Sequence, residues 1–109
     1  MLAKKKGRQT VEFTNPPSII ATASIVGPKE GKGPLGKNFD YITEDEKWGE
    51  KSWEKSEAKF IKETLVKVLT KGAVTPEKVD YLIAGDLLNQ CIAAHYGVRD
   101  SSIPLIGVY

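Results

Sequence analysis

Three groups of residues have types and spacings that could support chemistry. Gly31-Lys32-Gly33-Pro34-Leu35-Gly36-Lys37-Asn38 departs from the phosphate-loop pattern G-x-x-x-x-G-K-[ST] only at its last position. The departure is physical: Asn38 has no hydroxyl for a magnesium ion, and Pro34 removes one backbone N–H from the cradle. Nor does Phe39-Asp40-Tyr41-Ile42 open a recognisable helix whose N-terminus could hold phosphate. The segment is read as a structured irregular loop. Cys91 and His95 stand four apart, as a metal pair or a thiolate with its base would on a helix. Zinc takes more protein ligands than two, and both residues fall on an apolar face, so a buried cysteine and a core or rim histidine are the reading adopted. Asp40, Glu44, Asp45, Glu46 and Glu50 offer oxygens of the kind calcium accepts, but their spacing matches no calcium loop and reads as solvated surface. There is no glycine-flanked serine and one histidine, which leaves few routes to acid–base catalysis within these residues.

The elements that must position these groups follow from patterning. Residues 1–17 form a basic arm, with Lys4, Lys5, Lys6 and Arg8, a patch around Val11 and Phe13, and Asn15-Pro16-Pro17, whose prolines prevent helix. Residues 18–26 are small, β-branched and largely uncharged, which predicts a buried strand closed by Gly27-Pro28. Residues 28–51 are rich in Gly, Pro and charge and form a long irregular loop. Ser52 then caps a helix to Lys71, with Glu54 in the first turn and Gly72 as a left-handed cap. Its apolar face is Trp53, Phe60, Ile61, Leu65, Val68 and Leu69. Thr75-Pro76-Glu77 starts a single helical turn. Residues 81–85 predict a short strand. Asp86 caps a helix over 87–96, with Leu87, Leu88, Cys91, Ile92 and His95 toward the protein and Gly97 at its end. Residues 103–109 form a third apolar strand. Strands alternating with helices imply parallel pairing and an α/β layer arrangement. Such strands need helices on both sides, and one long helix is too few for the pattern.

Composition narrows the class. At 109 residues the chain is one domain at most, burying roughly 65% of its unfolded surface. With 40% hydrophobic and 28% charged residues it is globular in type. The net charge of +2 does not imply nucleic acid. One cysteine fits a reducing compartment. The apolar runs are shorter than the about 20 residues that cross a bilayer, and no signal-peptide core follows Met1, so a cytosolic or peripheral location is expected.

An ordered set of segments carries a resemblance. Gln9-Thr10-Val11-Glu12-Phe13, Asn15-Pro16-Pro17, Val26-Gly27-Pro28-Lys29-Glu30-Gly31, Gly33-Pro34-Leu35-Gly36, Phe39-Asp40, Ser52-Trp53-Glu54-Lys55 and Ala84-Gly85-Asp86-Leu87-Leu88-Asn89-Gln90 together resemble the amino-terminal part of the stage V sporulation protein AD family. The resemblance spans nearly all of this chain and about the first third of that family's length.

It implies the amino-terminal part of a thiolase-like layered α/β fold, incomplete here, in a family that binds dipicolinic acid, free or as its calcium chelate, in the forespore. Partners implied are other proteins of the same sporulation system at the inner spore membrane and a second copy in a homodimer. Nucleic acid and cofactors are not implied. In thiolase-like proteins the third strand leads into a cysteine-bearing turn; residues 103–109 resemble that strand, which puts the cysteine position beyond Tyr109. Cys91 does not match it, so no catalytic residue is carried over. Asn89 and Gln90 are the expected ligand-binding residues, because the corresponding strand-to-helix region approaches the cleft and the dimer partner. A flat aromatic dianion calls for cationic or N–H donors around an apolar slot. The expected function is noncatalytic dipicolinate binding and uptake into the developing spore. The rival expectation is an acyl-transferring condensing enzyme on the same fold.

Overall fold

The computed structural model describes residues 4–88 and 90–108. The basic arm folds into a hairpin, β1 (Lys5–Lys6) and β2 (Thr10–Val11), antiparallel with Lys5 opposite Val11 and Lys6 opposite Thr10. Gly7 turns it at φ +68°, a left-handed conformation that costs glycine nothing sterically.

The predicted strand over 18–26 shortens to β3 (Ile25–Val26), paired in parallel with β4 (Tyr41–Ile42). Among the described residues no strand pairs with 18–23, and Ile19 and Ile20 are left exposed. The loop between them is structured: α1 (Pro28–Gly31) is followed by a 3₁₀ turn at Gly36–Asn38. Its glycines permit close approach, since a Cβ on Gly36 would collide with the Gly31 carbonyl. The acidic stretch then turns on Asp45, whose Oδ1 accepts from the N–H groups of Lys47 and Gly49 at 3.0 and 3.2 Å. That turn sets Trp48 against Tyr41 and Phe60, with ring centroids 5.6 and 5.2 Å apart. Lys59 closes the cluster, its ammonium 4.7 Å from the Trp48 ring and donating to the Trp48 carbonyl at 2.9 Å.

α2 (Trp53–Lys71) begins as its sequence dictates, with Ser52 Oγ accepting from the Lys55 N–H at 3.2 Å. Phe60, Ile61, Leu65, Val68 and Leu69 are half-buried on the expected face. Trp53 is exposed instead and lies 5.0 Å below the Lys47 ammonium. The end of α2 also differs from expectation. Gly72 is right-handed at φ −82°, and the left-handed residue is Ala73 at φ +53°. Ala73 N–H donates to Thr70 O and Val74 N–H to Leu69 O, the paired closure of a Schellman motif displaced one residue past the glycine. The single turn at Pro76–Lys78 is present, with the Thr75 backbone carbonyl rather than its hydroxyl accepting.

β5 (Leu82–Ala84) and β6 (Leu105–Gly107) pair in parallel, joined through α3 (Ile92–Val98) and a 3₁₀ turn at Arg99–Ser101. The parallel α/β character read from the sequence is thus the architecture observed. Gly97 lies inside α3, where it lets the helix touch α2: a Cβ there would sit 2.7 Å from the Ala58 carbonyl oxygen and 3.0 Å from Ile61 Cγ2. The helix run ends at Ser102, left-handed at φ +60°.

Burial of the strands on both faces is not achieved. Ile83 and Ile106 face each other in register and are 63% and 51% exposed. Among the described residues α2 and α3 form a single helix layer, and the strand face at Ile83 and Ile106 is left without one. The radius of gyration is 16.2 Å, against roughly 13 Å for a compact chain of this length. The accessible surface is 8634 Å², against about 6,000 Å² for a compact monomer of the same mass. The apolar faces of the strands are therefore open.

Candidate functional site

The segment from Asp86 to Cys91 joins β5 to α3 and carries both residues expected to meet a ligand. Its frame is the Asp86 carboxylate. Oδ1 accepts from the Cys91 N–H at 3.1 Å and Oδ2 from the Ala94 N–H at 2.9 Å. These are donors that the first turn of α3 leaves without helical acceptors, so Asp86 caps the helix as expected, but across a longer reach. The reach exists because α3 begins at Ile92 and not at 87. Gln90 and Cys91 are consecutively left-handed, at φ +44° and +67°, which excludes them from the helix. Neither is glycine, so the turn is held against its own preference by the bonds around it.

Gln90 is exposed on this turn, with its side chain toward solvent. Asn89 lies outside the described residues. Leu87 is 98% exposed, and Leu88 and Ile92 are exposed as well, so the predicted inward face of 87–96 holds only at Cys91. The cause is the same left-handed turn, which rotates 87 and 88 out of helical phase with 91. Glu57 on α2 receives the Leu87 N–H at 3.4 Å on Oε2, tying the turn to the long helix.

Cys91 is 1% exposed, and its thiol donates to the Val108 carbonyl at 3.3 Å. A Cβ on Gly107 would meet that sulfur at 3.3 Å, so β6 passes close over it. His95 is exposed and does not share the Cys91 environment. The two residues that the sequence placed on one face are therefore separated by burial. No group of three metal-ligating side chains is found among the described residues. The phosphate-loop look-alike closes on itself through Gly31 and Gly36, and its glycines serve packing.

An open groove of about 670 Å³ lies between α2 and α3, floored by Ala58, Ala93 and Tyr96 and rimmed by both charge signs, including Lys55, Glu54 and Arg99. Elsewhere the strongest electrostatic feature is Asp40. The Lys71 ammonium at 3.1 Å from Oδ1, the Ser24 N–H and the more distant Lys67 hold its carboxyl below the ordinary carboxylate value. That group ties β3 to the end of α2 and is structural. Sequence reasoning missed it, because Asp40 was read with the acidic loop as solvated surface and its partners lie far away in the chain.

Parallel strand pairs joined through helices, with a carboxylate-capped left-handed turn and no nucleophile–base pair among the described residues, define an α/β scaffold segment. The comparisons say which one: the chain belongs to the stage V sporulation protein AD family, whose model matches residues 7–109. It is 36% identical over 106 residues to "Stage V sporulation protein AD" of Bacillus subtilis (strain 168), a match covering 97% of this chain and 31% of that protein. The chain thus spans about a third of the length of the curated relative it matches. The family places it in sporulation.

Proposed function

We propose that this chain is the amino-terminal part of a noncatalytic, thiolase-fold protein that binds dipicolinic acid, free or as its calcium chelate, for uptake into the developing spore. The family match carries the reading. The exposed turn at Gln90 supports it, because an amide displayed on a strand-to-helix junction can donate to one carboxylate of pyridine-2,6-dicarboxylate. Asn89 is the second donor in this reading. The protein works in the forespore with other proteins of the same sporulation system, and β6 contributes to a homodimer interface.

The test is a chimera in which this chain replaces the matching segment of the Bacillus subtilis relative. Equilibrium dialysis should show dipicolinate binding, weakened about tenfold to a hundredfold by Gln90→Ala, the worth of one hydrogen bond to a charged group. Acyl-thioester turnover without dipicolinate binding would instead establish the condensing-enzyme alternative.

A further inference from the structure

We propose that the amino-terminal hairpin is a docking element for an anionic lipid surface. The inference stands on the hairpin's own residues and not on the dipicolinate reading. The chain carries a net charge of +2. Lys4, Lys5, Lys6 and Arg8 against Glu12 give residues 4–12 a charge of +3, which leaves −1 for the rest. The basic excess is therefore confined to one hairpin. The family model begins at residue 7, so three of these four cations lie ahead of the region it matches.

The hairpin is exposed along its whole length, and its charges are partly committed. Lys6 pairs with Glu12 at 2.9 Å, which leaves Lys4, Lys5 and Arg8 to face outward. Apolar groups are interleaved with them. Val11 stands directly opposite Lys5 on the ladder and is 59% exposed. Phe13 is exposed two residues further on, with the Lys4 ammonium 5.7 Å from its ring.

Cations beside exposed aromatic and aliphatic side chains fit the headgroup boundary, where ammonium groups reach phosphates while the rings and stems enter the acyl edge. A nucleic-acid duplex would use the cations and leave Val11 and Phe13 in water. No helix of the described residues is long and apolar enough to cross a membrane, so the contact proposed is to the surface. Each cation near an anionic bilayer is worth roughly fivefold in partitioning, and two signals together are what hold a peripheral protein.

Co-sedimentation of the 109-residue chain with phosphatidylcholine vesicles, with and without about a third phosphatidylglycerol, tests this. Binding should require phosphatidylglycerol, fall about a hundredfold in Lys4→Gln/Lys5→Gln/Arg8→Gln, and weaken as salt shortens the screening length from ~10 Å at 0.1 M to ~3 Å at 1 M. Phe13→Ser should weaken it while leaving the charges intact. Both variants should keep the wild-type circular dichroism, since neither touches the Lys6–Glu12 pair. Equal binding to both vesicle types, or triple-variant binding equal to wild type, would assign the attraction to the open strand faces and overturn the proposal. Binding to duplex DNA but not to vesicles, lost in the triple variant, would overturn it in favour of a nucleic-acid contact.

Discussion

Ser24 and Asp40 hold each other twice: the Ser24 N–H donates to Asp40 Oδ2 at 2.8 Å, and the Asp40 N–H donates to Ser24 Oγ at 3.1 Å. Lys71 then clamps the carboxylate from the end of α2. One side chain thereby fastens the foot of β3 to the long helix, sixteen and thirty-one residues apart in sequence.

This gives a pH dependence with a definite sign. Asp40 titrates below its ordinary value of 3.8, so its bonds stabilise the fold fully above that value and are lost as pH falls through the lower, folded-state one. A carbon-13 NMR titration of the Asp40 carboxyl should show a midpoint below 3.8 in the wild type, moving back up in Lys71→Met. A midpoint unmoved by that change would mean Lys71 is not the principal cause.

Ala73 occupies the left-handed position that closes α2, where a Cβ is disfavoured. Ala73→Gly should stabilise the helix end by about 0.5–1 kcal/mol, the relief of strain less the entropy glycine loses. Amide exchange in the last turn of α2 should slow about twofold to fivefold. Faster exchange would show that the motif does not rely on that conformation.

Gly97 is the point where α3 rests on α2. Gly97→Val adds atoms facing the Ala58 carbonyl and Ile61, and overpacking of this kind costs about 1–3 kcal/mol. Loss of α3 protection in hydrogen exchange, with α2 retained, is the expected pattern; unchanged protection in α3 would mean the helices are not held by this contact.

The bare face around Ile83 and Ile106 predicts that the chain by itself binds a hydrophobic dye such as ANS and self-associates. A dye-silent monomer with a sharp thermal transition would show that these faces find cover.

The long helix was legible because Ser52, Glu54 and the 3.6-residue apolar repeat all agree, and parallel pairing followed from alternation. β4 was not, since a two-residue strand inside charged sequence has no period to read. The start of α3 was misplaced by five residues for a related reason. Gln90 and Cys91 take left-handed conformations that their residue types do not announce, and the Asp86 bonds that support them are made at a distance. At the candidate site, Asp86 was read correctly as a cap and Gln90 is exposed on the turn; the Leu87 and Leu88 orientations were lost with the helix phase.

The single cysteine has a use that follows from where it sits. Its sulfur is sealed by the β6 backbone and the capped turn together, so a thiol reagent can reach it only when that unit parts. The rate of Cys91 alkylation is therefore a built-in clock for opening of the carboxyl-terminal strand pair. It can be read on the unlabelled wild-type chain, alone or with any ligand or partner added.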